Sequence, residues 1–437
     1  MPPLRPSESV EFARLLAGRL GFRGTDLSLL RPIIEYSGGN PLTLTVALSS
    51  FFGSQGKPTV RSVDAFVGQL ENGEAAIRDD PKQGRSLSLS ASLQYGFDSA
   101  FSNLSLQRLA ILHVFRTYVN TGVLVLMGNR PDLKALNLSP DYEVSWSLNE
   151  LSSQRPSALE ELLHKTARLG LLTRVKENHY WMHPAIHIHL RAYFTRFYGQ
   201  GEDATRVRRA FAESLGIFGI QFTIAYSHGI RAKAIDALSD EENNFSYALE
   251  LSRERGWWQA AIGVLHGLFT LYEHTGRLDE WSELFESVVP DFLDQESQPL
   301  QGREKWWAFI MDHRQRVAYR RKDLSTAEIL ARTIVDHERS QCVALDPANV
   351  ATLTASENTQ LRSLAIAIGR LADVLRDTED SGCVDLNEEA LGLYRAVEDR
   401  VGVSVRLFNL GHVYKNVSGI RDLTKSAQYY FLESTDK

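Results

Sequence analysis

The feature that most constrains this chain is a hydrophobic pattern of helical period that runs almost uninterrupted through its 437 residues. Apolar positions three and four apart give each helix one buried stripe, so such a chain must satisfy itself by packing helix on helix. Val10, Leu15 (or Leu16) and Leu20 mark a first helix, with Ser7 as its expected N-cap and Glu8 and Glu11 in its first turn. A short helix over 27–36 ends at Ser37, Gly38 and Gly39. A third opens at Asn40 and Pro41, because Asn caps well and proline is pre-organised for the first turn. Residues 71–86 are polar and turn-rich and read as a linker or loose helix end. Helices are expected over 87–99 and 104–116. Irregular chain is expected over 128–155, with Pro131, Pro140 and Pro156 as punctuation.

The period changes once. Leu159 to Leu169 form an amphipathic helix ended by Gly170, and residues 171–175 and 180–182 read as short strands around a polar turn at 176–178. A further helix starts at Pro184. Helix, two-strand wing and helix make the ending of a winged helix. Beyond residue 205 only helices are expected, and their spacing resembles a degenerate tetratricopeptide (TPR) array. Leu407, Leu410, Gly411 and Tyr414 fit its first helix, and Ala427 with Phe431 its second. Upstream, Ala390 with Tyr394, Trp281 with Phe285 and Ala327 with Ala331 take second-helix positions; Leu268, Tyr272 and Gly276 precede Trp281. Small residues there let helices approach, and large ones fill the groove beside them. The expected fold is mainly α: a helical subdomain over 1–75, a winged-helix-like domain over 76–200 and a TPR-like α-solenoid over 201–437.

Composition narrows the function classes. The chain has 48 Lys and Arg against 54 Asp and Glu, a net charge of −6, which argues against a general polyanion binder. Residues 1–199 hold 21 basic and 17 acidic residues, and the remainder holds 27 and 37, so the character changes near residue 200. Two cysteines, Cys342 and Cys383, make no disulfide framework and fit a reducing cytoplasm. No apolar run approaches membrane-spanning length, and the N-terminus lacks the apolar stretch of a signal peptide.

Signatures of catalysis are missing. The nearest approach to a phosphate-binding loop runs from Gly53 through Gly56 and Lys57, with the wrong spacing and Pro58 where a hydroxyl should hold magnesium. His179, His183, His187 and His189 cluster, but the His183–His187 spacing of zinc proteases lacks its glutamate base, so no metal site is assigned. As a DNA reader the winged helix is thin: His164, Lys165 and Arg168 on its helix, Arg174 and Lys176 on its wing, with Glu160 and Glu161 among them. DNA is therefore not an expected partner. Trp257–Trp258 and Trp306–Trp307 each send one ring inward and leave the other near the surface, where it can anchor a partner. With Tyr272 and Tyr414 they form the candidate partner-contact set.

Four motifs occur in a telling order. The segment from Leu4 through Pro6 and Glu11 to Leu16 resembles an Leu-x-Pro entry into a small helical domain. Gly39-Asn40-Pro41 matches a Gly-x-Pro element, and Met182-His183-Pro184 stands where a Met-His-Asp element would close a winged helix. Asp240 to Leu249, then 257–280, look like the first repeats of a sensor. Together these resemble the C-terminal part of a STAND-class NTPase of the NB-ARC/TPR type. In that family a P-loop ATPase domain precedes a small helical domain, a winged helix and a repeat array that senses ligands.

The resemblance implies that Pro41, beside Gly39, contacts adenine and that His183 meets the ADP β-phosphate, with Pro184 replacing the usual Asp. It places the ATPase domain upstream of Met1, so this chain is expected not to be an enzyme and to hold no cofactor alone. ADP or ATP would bind when an upstream or partner ATPase domain is present. The array is expected to take a protein or peptide on its concave face, and the full-length protein to oligomerise. A stand-alone TPR scaffold and a fragment of a LuxR-like transcriptional regulator are the alternatives.

Overall fold

A computed structural model describes residues 3–77, 87–129, 147–152, 156–346 and 353–435. The expectations for 78–86 and for most of 128–155 lie outside the described residues. Among those described, the fold is mainly α, with one three-stranded sheet. The chain divides into two compact units, Met1–Arg277 and Leu278–Lys437.

The first unit begins with α1 (Pro6–Arg19), α2 (Arg31–Tyr36), α3 (Pro41–Gln55), α4 (Val60–Ile77) and α5 (Leu87–Ala100). Leu16, Ile33, Leu44, Phe51 and Phe66 are buried together as the core of the first four of these. Capping follows local chemistry. Asn40 accepts hydrogen bonds from the backbone of Leu42 (3.0 Å) and Thr43 (3.1 Å), as a cap before a first-turn proline should. Ser7 is not the cap of α1. Pro6 already occupies the first turn, and Glu8 reaches back to accept from the Arg5 backbone at 2.8 Å. Residues 27–30 form turns rather than the start of α2, and α4 continues through the first part of the expected linker.

Next come α6 (Asn103–Ala110), β1 (Tyr118–Asn120), α7 (Thr121–Gly128), α8 (Pro156–Arg168), β2 (Thr173–Lys176), β3 (His179–Trp181) and α9 (Pro184–Tyr198). The sheet order is β1-β3-β2, all antiparallel. Three helices with a strand after the first and a hairpin after the third make the winged-helix order. The hairpin was legible in the sequence. Strand β1 was not, because three residues carry too little alternation to register.

The unit closes with α10 (Glu202–Ser227), α11 (Arg231–Asp240), α12 (Glu242–Arg255) and α13 (Trp258–Thr275). Helices α10 and α13 meet backbone to backbone. A Cβ at Gly263 would lie 2.5 Å from the Gly216 carbonyl oxygen, and one at Gly219 would lie 2.5 Å from that of Gly263. Only glycine permits that approach.

The second unit holds α14 (Leu278–Val288), α15 (Trp307–Arg320), α16 (Leu324–Cys342), α17 (Ala355–Asp377), α18 (Cys383–Ala396), α19 (Arg400–Asn416) and α20 (Leu423–Thr435). From α15 onward each helix packs on the next in chain order, the nearest-neighbour stacking of a solenoid. Trp281, Phe285, Ala327, Ala331, Ala390, Tyr394, Leu407 and Leu410 are buried at their expected repeat positions. The last pair differs. Ala427 is exposed and Phe431 is 68% exposed. Helix α20 turns Ser426 and Tyr430 inward instead: the Ser426 hydroxyl donates to the Gly411 carbonyl at 2.8 Å, and the Tyr430 ring lies against Gly411. A one-residue offset rotates a helix by about 100°, enough to exchange the buried face.

Candidate functional site

The three residues of the nucleotide resemblance each have a structural task. Gly39 has φ +76°, accepts a hydrogen bond from the Leu4 backbone at 2.8 Å, and leaves no room for a Cβ beside the Leu4 carbonyl. It also lines a cleft of about 670 Å³ with Leu4, Val10, Ile34 and an Arg31–Glu35 pair, and neither Pro41 nor His183 takes part in that lining. Pro41 starts α3. His183 is the N-cap of α9: its Nδ1 accepts from the Ala185 backbone at 3.1 Å, and burial pushes its pKa below the ordinary value.

His113, His187 and His189 are packed rings whose pKa burial lowers. His113 and His187 lie 4.6 Å apart, and the His187 ring nitrogen Nε2 is 2.9 Å from the His113 carbonyl. Burial and the neighbouring His187 hold His113 down to about 4. His189 stacks at 5.4 Å on Phe97 and is likewise held near 4 by burial. No three His, Cys, Asp or Glu among the described residues group to hold a metal ion.

A polar joint that the sequence did not announce fastens the winged helix to α11 and α12. Glu241 is fully buried, and its carboxylate accepts from Asn120 Nδ2 at 2.9 Å and Asn244 Nδ2 at 2.7 Å. His179 Nε2 stands 3.4 Å away. Asn244 then caps the edge strand, accepting from the Arg116 backbone (2.8 Å) and donating to the Tyr118 carbonyl (3.0 Å). Arg116 lies 3.3 Å over the Tyr247 ring. A free sheet edge invites pairing, and here side chains from α12 occupy it. Lys176 on the wing is engaged by Asp240 at 2.5 Å. The acidic and amide run 240–244 resembled the start of a repeat array; its polar side chains make the joint. Its one available signal was an Asn-Asn pair within a helix, where such residues usually bond elsewhere.

The candidate partner contacts divide by burial. Tyr272, Trp307 and Tyr414 are core residues. The Trp307 indole donates to the Ser297 carbonyl at 2.9 Å, and Tyr414 stacks on Tyr429 at 5.7 Å. Their inward faces remove them from direct contact with a ligand. Trp257, Trp258 and Trp306 are half-buried, so the pair at 257–258 does not split into one inward and one outward ring.

A groove of the second unit lies elsewhere. It has a volume of about 700 Å³ and is lined by Lys322, Arg376, Phe408, Asn409, His412 and Asn416. Beside it α19 exposes Val401 (73%), Val405 (44%) and Phe408 (46%), spaced four and three apart on one helix face. The His412 ring continues that face 4.8 Å from Phe408.

No family model and no curated protein matches the chain. Among solved structures, it is similar to a Signal Transduction ATPase with Numerous Domains (STAND) protein with a tetratricopeptide repeat sensor from Pyrococcus horikoshii. The identity is 11% and the TM-score 0.34, covering 99% of this chain and 60% of that one. The chain thus spans 60% of the length of that protein, and the likeness is too weak to carry an argument. No described helix is long and apolar enough to cross a membrane.

Proposed function

We propose that the chain is a non-catalytic regulatory portion of a signalling protein that binds a protein or peptide segment along the groove of its second unit. The observation that carries this reading is the exposed Val401, Val405 and Phe408 stripe on α19 beside a polar groove. Three apolar side chains held on one rigid helix face match the anchors of a bound peptide, and the surrounding polar groups suit its backbone. The occupant is a segment presenting two or three apolar side chains flanked by polar ones. The test selects binders from a phage-displayed peptide library on the full chain, then measures them by fluorescence polarisation. Phe408→Asp should weaken the selected peptides at least about tenfold, because a charge replaces a central anchor. Val343→Asp, at an exposed residue that does not line the groove, should not. Undiminished binding by Phe408→Asp would refute the groove as the site.

Under this reading the chain does not hydrolyse ATP alone, and ADP binds only when an ATPase domain is supplied from upstream or by a partner. Micromolar ADP binding to the isolated chain in isothermal titration would contradict that. The free Cys342 and Cys383, both buried, accord with work in a reducing compartment such as the cytoplasm. A DNA-binding role has less support, since Lys176 on the wing is already paired. A mobility shift with duplex DNA at low salt would revive it.

A further inference from the structure

Where α3 ends beside the end of α8, the first unit has a cleft of about 450 Å³ that none of the roles above uses. Its floor is apolar: Leu20 and Leu169 with the Phe22 and Phe52 rings, which stack at 4.3 Å. Its rim is cationic. Lys165 and Arg168 stand three apart on α8, hence on one face, and both are exposed. Lys165 donates to the Ala100 carbonyl at 2.5 Å and lies 4.9 Å from the Phe101 ring, which leaves ammonium donors unused. No described residue pairs with Arg168, and no described residue lining the cleft is acidic. The last turn of a helix favours cations, but its dipole offers only about half a negative charge. Two full positive charges exceed it. In the wall, Ser49 is only 4% exposed and its hydroxyl bonds no described residue.

We propose that this cleft binds a small amphipathic anion, with one carboxylate or phosphate head on an aromatic or alkyl body. The head meets Lys165 and Arg168, the Ser49 hydroxyl donates to it or to a polar substituent, and the body lies on Phe22, Phe52 and Leu169. The volume falls within the range of about 300–1,000 Å³ usual for small-molecule sites. A nucleic-acid backbone is a poorer match, since it needs several closely spaced cations and this rim has two.

The test uses the full chain and three probes followed by fluorine NMR: 4-fluorophenyl phosphate, 4-fluorobenzoate and the neutral 4-fluorobenzyl alcohol. Both acids should bind, the neutral alcohol about tenfold more weakly or not at all. Arg168→Gln and Lys165→Gln should each weaken the acids about threefold to tenfold, since each removes one charge-assisted contact at an exposed rim. A Cβ at Gly53 faces Leu169 at 3.5 Å, so Gly53→Leu fills the floor and should abolish binding of every probe. Equal binding of acid and alcohol, no effect of either charge substitution, or no binding of either acid would overturn the proposal. Preference between the two acids identifies the head group, and either preference supports the site.

Discussion

The two compact units solve the same problem, packing helices on helices, with different chemistry. The first relies on close backbone approach, on amide hydrogen bonds to the buried Glu241 and on histidines that burial keeps neutral. Glycines let α10 and α13 meet, Glu241 accepts hydrogen bonds from amide donors, and His113, His189 and His266 are all held near 4 by burial. The second is stitched by charges. Arg406 donates to the Gly369 carbonyl at 2.8 Å and meets Asp373 at 3.3 Å, while Arg376 pairs with Asp377 at 2.9 Å. Tyr319 donates to Asp377 at 2.6 Å, and burial with that carboxylate pushes its hydroxyl up to about 12. Arg362 holds Asp399 at 2.6 Å and Arg339 holds Glu389 at 2.8 Å. Shape-matched backbones leave one arrangement, whereas long charged side chains at part-exposed positions tolerate small shifts. The first unit is built to hold a geometry, and the second presents a surface.

That contrast can be broken experimentally. The largest effect is expected from Gly263→Val, whose side chain would collide with the backbone of α10. It should cost about 3 kcal/mol or more. Hydrogen exchange should then lose protection over 202–275 and keep it over 307–416; parallel loss in both would refute separate cores. Acid should follow. The three histidines have folded values below the ordinary 6.5, so the native state holds them neutral. Their stabilisation is full above about pH 6.5 and is lost as pH falls toward 4. The slope is on the order of 1 kcal/mol per pH unit for each. Amides of the first unit should therefore exchange first at pH 5, and the reverse order would count against the comparison.

Arg406→Ala should cost about 2 kcal/mol in the second unit, because it strips a buried guanidinium from Asp373 while Asn409 still serves that carboxylate. Thermal melts of the full chain should read this as a midpoint lowered by several degrees. The smallest pair lies at the joint. Glu241→Gln puts an amide donor against two others and should cost about 1–2 kcal/mol. Lys176→Ala removes an exposed ion pair and should cost under about 0.5 kcal/mol. Equal costs would mean that the wing is held by charge and not by the buried amide network.

Much of the fold was legible in the sequence. The 3.6-residue period gave the helices, Asn40-Pro41 gave the start of α3, and the 171–182 alternation gave the hairpin. The repeat spacing predicted which faces of α14, α16 and α18 are buried. That His183 and Gly39 stand at constrained positions was legible too, one before a helix-starting proline and the other in a tight turn. What they contact was not. Caps and tight turns use the same residue types as ligand sites, and local sequence does not separate the two.

Local pattern thus determined the class of the protein, its succession of helices and the place of its wing, because periodicity and capping act over one or two turns. Tertiary structure decided the rest. It turned Ser426 and Tyr430 inward in place of Ala427 and Phe431, sank Tyr272, Trp307 and Tyr414 into cores, and brought Asn120, His179 and Glu241 together. It also exposed Val401, Val405 and Phe408. Which face of a helix is covered depends on a partner far away in the chain, and no residue's neighbours in sequence record that partner.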